Sequence, residues 1–315
     1  MAGTRAAPSA GRPAAPARSR PARAGTLAAV SAALGLLLAV VWSARLVDGL
    51  GVDAADGILG RDALKDDIPG SGAGVLFAFV AGLAGTFTAC NVAAFGALAP
   101  MAGTGAGRGG RLAAALRPLG WLTVGAVTVA ALYGAIGAAA GPDIPQLSQD
   151  TVGNGMPVRA LQALIVFVVI GLALLWLGLA AFGLAPDPLG RLGARQHTVR
   201  LLLIGALVGG FVIGRPYPLF RKAFAYAADT HNALYGALLF AVIALGNVAV
   251  LAVLFVVLAL AGGGRVPRWL SARPGRAAAC TGVALVVFGT FTVVYWGIRL
   301  PARFDYGWFP TMPWK

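Results

Sequence analysis

Seven apolar runs, each long enough to cross a bilayer, constrain this chain more than any other feature. They fall near residues 26–46, 74–101, 119–140, 160–185, 201–228, 232–261 and 277–298. A spanning helix needs about 20 such residues. In lipid every backbone N–H and C=O must find a partner inside the protein, which leaves helices and closed barrels as the only solutions. Continuous apolar runs, without the strict alternation of a barrel strand, select the helix. The expected fold is an all-α polytopic membrane protein of about seven transmembrane helices. Composition decides between lipid and a large soluble core. Only 11% of residues are charged, 58% are hydrophobic and the mean hydropathy is +0.80. Soluble domains carry about 25% charged residues. The net charge of +14 comes from arginines at the ends of the apolar runs, the membrane pattern, so the bilayer and not nucleic acid is the expected partner.

The connections set an orientation. Residues 1–25 hold Arg5, Arg12, Arg18, Arg20 and Arg23 among Ala, Pro and Ser, a composition that cannot bury enough surface to order itself. Arg108, Arg111 and Arg117 follow the second run, Arg191, Arg195 and Arg200 the fourth, and Arg265, Arg268, Arg273 and Arg276 the sixth. The alternate connections hold most of the acids, Asp48 to Asp67 and then Asp143 and Asp150. The arginine-bearing side is expected in the cytoplasm of a multi-pass cell-membrane protein, with the N-terminus inside and the C-terminus outside. Domain by domain, the chain reads as a basic cytoplasmic tail (1–25), a first transmembrane helix (26–47), a six-helix membrane domain (74–298) and an external aromatic tail (299–315) that anchors at the interface.

Six helices after the first divide into two sets of three. Sets with odd span counts must be inverted relative to each other, a recurring architecture of transporters. Each set opens on a weakened segment. Residues 79–103 read FVAGLAGTFTACNVAAFGALAPMAG, with Gly82, Gly85 and Cys90. Residues 207–228 carry Gly209, Gly210 and Gly214, then Arg215-Pro216-Tyr217-Pro218. With Gly82 set over Gly209, Cys90 falls on Tyr217. Proline removes a helix hydrogen bond and clashes with the preceding turn, so Pro216 and Pro218 break the fifth run. Such a break is tolerated only inside the protein or along a wet cavity. The expected central cavity therefore holds Asn91, Arg215, Pro216, Tyr217 and Pro218, with Cys90 opposite. Two readings of the glycines stay open: helix packing of the small-xxx-small kind, or a site. Two also stay open for Arg215, a cavity-facing charge or an arginine that snorkels to the outer interface with Arg221 and Lys222.

The two segments resemble the signature segments of the cytochrome c biogenesis transmembrane family, the CcdA/DsbD family, over roughly residues 74–298. Glycine spacing, Gly214-Arg215-Pro216 before the second key position, and topology carry the resemblance. It implies a protein that passes reducing equivalents from a cytoplasmic thioredoxin-like partner to extracytoplasmic clients through two intramembrane cysteines, by thiolate exchange. The chain departs from that pattern at the second key position. Cys90 occupies the first cysteine position, with Ala89 and Ala93 where the family has prolines, and Tyr217 occupies the second. A phenol forms no mixed disulfide, so the resemblance implies a non-cycling assembly partner in cytochrome c or other extracytoplasmic protein maturation. Cys280 is the only other thiol.

The alternative reading of the same segments is a transporter for a small solute, an anion drawn by Arg215 and half-helix N-termini. A third is a structural membrane subunit without substrate. No P-loop, His-Glu-x-x-His or nucleophile elbow is present, so no ordinary kinase or hydrolase is expected. No cofactor is expected, and His231, in the short turn Asp229–Asn232, lacks a neighbour at metal-ligand spacing.

Overall fold

The computed structural model describes residues 23–86, 107–261, 269, 272–273 and 275–312. It is an all-α polytopic membrane fold. Five helices are long and apolar enough to cross a bilayer, and two shorter apolar helices, Gly70–Ala84 and Gln196–Val212, accompany them. Cys90 and Asn91 lie outside the described residues, as do residues 1–22 of the tail.

Helix α1 is Ala24–Val41, and it stops earlier than the expected 46. The cause is local: Ser43 takes an extended backbone and its hydroxyl accepts from the amide of Leu46 at 3.3 Å, which caps a separate helix α2, Ala44–Leu59. Helix α2 is amphipathic, with Gly51 and Ala55 buried while Leu46, Leu50 and Ile58 stay exposed. That pattern belongs to a helix lying along an apolar boundary. The acid-rich loop after it is self-paired. The Asp62 carboxylate accepts from Lys65 at 2.9 Å, and this partner holds it below the ordinary carboxylate value.

Helices α3 (Gly70–Ala84), α4 (Gly107–Ala140) and α5 (Val158–Phe182) form the first three-helix unit. A short hairpin, β1 Thr151–Val152 with β2 Met156–Pro157, precedes α5. The second unit is α6 (Gln196–Gly214) with α7 (Pro218–Asp229), then α8 (Ala233–Ala261) and α9 (Arg276–Val294). A π-helical turn, Tyr295–Arg299, extends α9 into a short α10, Leu300–Ala302. The expected fifth run is thus two helices, and the third begins well before residue 119, running through Pro118.

The two units interlock in a swapped pattern. The lead helix of each packs on the middle helix of the other, α3 on α8 and α6 on α4; the middle helices α4 and α8 pack on each other, and so do the last helices, α5 and α9. Glycines make the crossings close. A Cβ at Gly82 would stand 3.0 Å from the amide nitrogen of Asn247 and closer still to the Ile243 carbonyl; one at Gly209 would stand 2.5 Å from the Ala126 carbonyl oxygen. Gly82 and Gly209 are the two residues that superpose in the sequence alignment of the halves, and they make equivalent crossings. Helix α1 stands outside both units and packs chiefly along α9. Arg299 ties it there, donating from one nitrogen to the carbonyls of Ala39 and, at 2.8 Å, Trp42. These are the last carbonyls of α1, where a cation also complements the helix dipole.

Candidate functional site

Two X-Pro pairs build the site. Proline pushes the residue before it out of the helical region. Arg215, before Pro216, has φ −77° and ψ 119°, and Tyr217, before Pro218, has φ −78° and ψ 129°. Helix α6 therefore ends at Gly214, and α7 restarts with Pro218 at its first position, where its missing N–H costs nothing. The carbonyl freed at Arg215 accepts from the buried Gln146 amide at 3.5 Å, so the break is served from within the protein.

The Arg215 side chain, only 11% exposed, turns inward. One guanidinium nitrogen donates to the carbonyl of Gly85 at 3.0 Å, and another pairs with the carboxylate of Asp48 on α2. Its carbon lies 4.4 Å from the centroid of the Tyr217 ring, a cation–π distance. This is the geometry of a partnered cation and not of a snorkelling one. Tyr217 is fully buried, its hydroxyl has no hydrogen-bond partner among the described residues, and it presses on Gly51 of α2. Gly85 is the residue that closes α3. The next residue, Thr86, donates to the Gly82 carbonyl at 3.2 Å and the Asn247 carbonyl at 3.4 Å, which pins that end of α3 on α8. The lead segments of both units thus meet at one guanidinium.

A cavity of about 220 Å³ opens beside the break. Arg215 and Pro216 line it, with Asp48 and Arg303 as its other charged residues. Its walls are aromatic: Trp42, Phe167, Phe211, Phe291, Tyr295 and Trp296. Phe167 and Trp296 stack at 4.2 Å between centroids, and Phe211 stands 4.8 Å from Phe167. The π-turn of Tyr295–Arg299 supplies Tyr295 and Trp296 to the walls; such turns recur at functional positions.

Of the residues singled out in sequence, Arg215 and Pro216 lie on the cavity, Tyr217 packs behind the guanidinium, and Pro218 is exposed at the start of α7. Gly82, Gly85 and Gly209 are close-packing positions, and Gly214 lies against Phe167 and Val166. Cys280 is a half-buried free thiol on the second turn of α9. His231 sits in the α7–α8 turn with φ 49°, and among the described residues no three His, Cys, Asp or Glu side chains gather as a metal site. Sequence reasoning missed Asp48, Gln146, Arg303 and the aromatic walls. The signal for Asp48 was the helical periodicity just past the first run, Leu46, Leu50 and Ala54 on one face against Gly51 and Ala55 on another.

Comparison of the chain with protein-family models, with curated proteins and with solved structures finds no match. The site defines the class of the protein, a helical membrane protein of two interlocked three-helix units with a polar break between them, and its function is argued from that geometry.

Proposed function

We propose that the chain is a cell-membrane protein related to the CcdA/DsbD thiol-disulfide carriers that serves extracytoplasmic protein maturation as a non-cycling partner. In this reading the N-terminus is cytoplasmic and the C-terminus outside. The observation that carries it is the meeting of the two lead segments, where Arg215 binds the Gly85 carbonyl and Tyr217 lies buried beside them. In the family that the sequence resembles, the second motif cysteine stands at the position of Tyr217. In that alignment the counterpart of Cys90 is a tyrosine and not a second cysteine. A thiolate at Cys90 can attack a client or thioredoxin-like disulfide, forming a mixed disulfide and releasing the client's other thiolate, but no second motif thiol resolves it. Thiol trapping in cells tests this reading. Cys90 and Cys280 are expected both free, or Cys90 alone in a mixed disulfide with another protein; a reversible Cys90–Cys280 bridge would overturn it.

A second reading, passage of a small organic anion, is favoured by the aromatic cavity with Arg215 at its polar end. Inverted units that rock about a central site are the usual means of alternating access. Flux of a labelled anion into proteoliposomes, lost in Arg215→Gln, tests it; equal flux in that variant would exclude the site.

A further inference from the structure

We infer that the cavity beside Arg215 binds a small aromatic carboxylate, and that Asp48 is the resident competitor that such a ligand displaces. The inference rests on the second reading above for access to the cavity, and deepens it by naming the ligand class. Three observations on the molecule lead to it.

The first is the charge. Arg215 and Arg303 are the basic residues on the cavity and Asp48 the single acid, so the lining is net positive and favours an anion. Arg303 is exposed and makes no ion pair among the described residues. The second is an asymmetry of exposure within the Asp48–Arg215 pair. The Asp48 side chain is 29% exposed and the Arg215 side chain 11%. The carboxylate is the less buried of the two groups, on a helix that shows Leu46 and Leu50 to the outside. The guanidinium is held from behind by the Gly85 carbonyl and the Tyr217 ring. An incoming carboxylate can replace Asp48 on the planar fork without moving Arg215, and the fork can donate two parallel hydrogen bonds to a carboxylate.

The third is shape. Cavities that hold drug-sized ligands measure about 300–1,000 Å³. At about 220 Å³ this one admits a single ring with its acid group. Phe167, Phe211, Phe291 and Trp296 offer the faces and edges against which a ring stacks.

Benzoate, with benzamide as its uncharged isostere, is the probe. Both are titrated into the full chain in lipid nanodiscs, read by calorimetry and by quenching of tryptophan emission, since Trp42 and Trp296 are in the wall. Benzoate is expected to bind saturably and benzamide not to bind. Asp48→Asn is expected to tighten benzoate on the order of tenfold, because the competitor is neutralised. Arg303→Gln weakens it severalfold and Arg215→Gln abolishes it. Because Arg215→Gln risks the fold, Asp48→Asn and Arg303→Gln, each checked for an unchanged melting profile, carry the decision. Equal binding of benzamide, no binding of benzoate, or benzoate affinity unchanged or weakened in Asp48→Asn overturns the inference. Benzoate binding with the Asp48→Asn gain but without any flux would sink the transport reading alone. Anion flux that ignores Asp48→Asn would sink this inference alone.

Discussion

Adding one methyl group at the crossing of α3 and α8 tests the interlocking of the two units. In Gly82→Ala the new Cβ stands 3.0 Å from the Asn247 amide nitrogen and nearer to the Ile243 carbonyl. Both are backbone atoms of α8, so no side chain can swing away. Comfortable contact lies at about 3.5–4.0 Å, and the nearer Ile243 carbonyl sets the movement, so the helices must part by roughly 1 Å or more. Overpacking of this kind costs about 1–3 kcal/mol. The equivalent change in the second unit, Gly209→Ala, meets the Ala126 carbonyl oxygen at 2.5 Å and its Cα at 3.1 Å, and the same cost is expected. Gly120 on α4 is the control. A Cβ there meets nothing within 4 Å, so Gly120→Ala gains about 0.4–1 kcal/mol by restricting the unfolded chain. Reversible unfolding in mixed micelles, followed by tryptophan emission, is expected to separate the control from both crossing variants by about 1.4–4 kcal/mol, tenfold or more in the equilibrium constant. Crossing variants as stable as Gly120→Ala would refute the close approach. A loss at Gly82 without one at Gly209 would refute the equivalence of the two units.

Two further outcomes follow from other contacts. Reporter fusions after Gly110, Gly193 and Gly264 are expected all to report cytoplasm, since arginines crowd these connections; an outside signal at any of them would overturn the orientation. Arg299→Leu is expected to cost about 1.5–3 kcal/mol, because charged hydrogen bonds to the last carbonyls of α1 are lost. Arg299→Lys is expected to recover much of it, since both bonds come from a single nitrogen that an ammonium can replace, and full stability in Arg299→Leu would show that α1 is held by its apolar contacts with α9 alone.

The parts of the fold that depend on local sequence were legible. Two X-Pro steps dictate the break at residues 215–217 because each forces an extended residue, whatever packs around it. The alignment of Gly82 with Gly209 marked two equivalent positions and left packing and a site both open; the close approach of backbones at each, which only glycine permits, shows packing there. The end of α1 was not legible from hydropathy, since Leu46 and Val47 continue the apolar composition; Ser43, a capping residue, carried that information instead. Asp48 as the partner of Arg215 was beyond sequence reading for a different reason. The two residues are 167 positions apart, and their pairing exists only in the folded chain, where α2 packs on α3. The aromatic walls are likewise assembled from five separate places in the chain, the α1–α2 joint, α5, α6, α9 and the π-turn, each with a ring or two.

Arg215 joins α2 to the lead segments of both units, and a double-mutant cycle measures that junction directly. Asp48→Asn, Arg215→Gln and the double variant are unfolded under one set of conditions. Residues in direct contact couple by about 0.5–3 kcal/mol, whereas independent sites add to within about 0.3–0.5 kcal/mol. The pairing described here predicts a coupling of at least ~1 kcal/mol, the upper part of the range for exposed pairs, because the Arg215 side chain is largely withdrawn from water. Additive losses would contradict it, and would leave the break at Pro216 without the inward-facing charge on which the site depends.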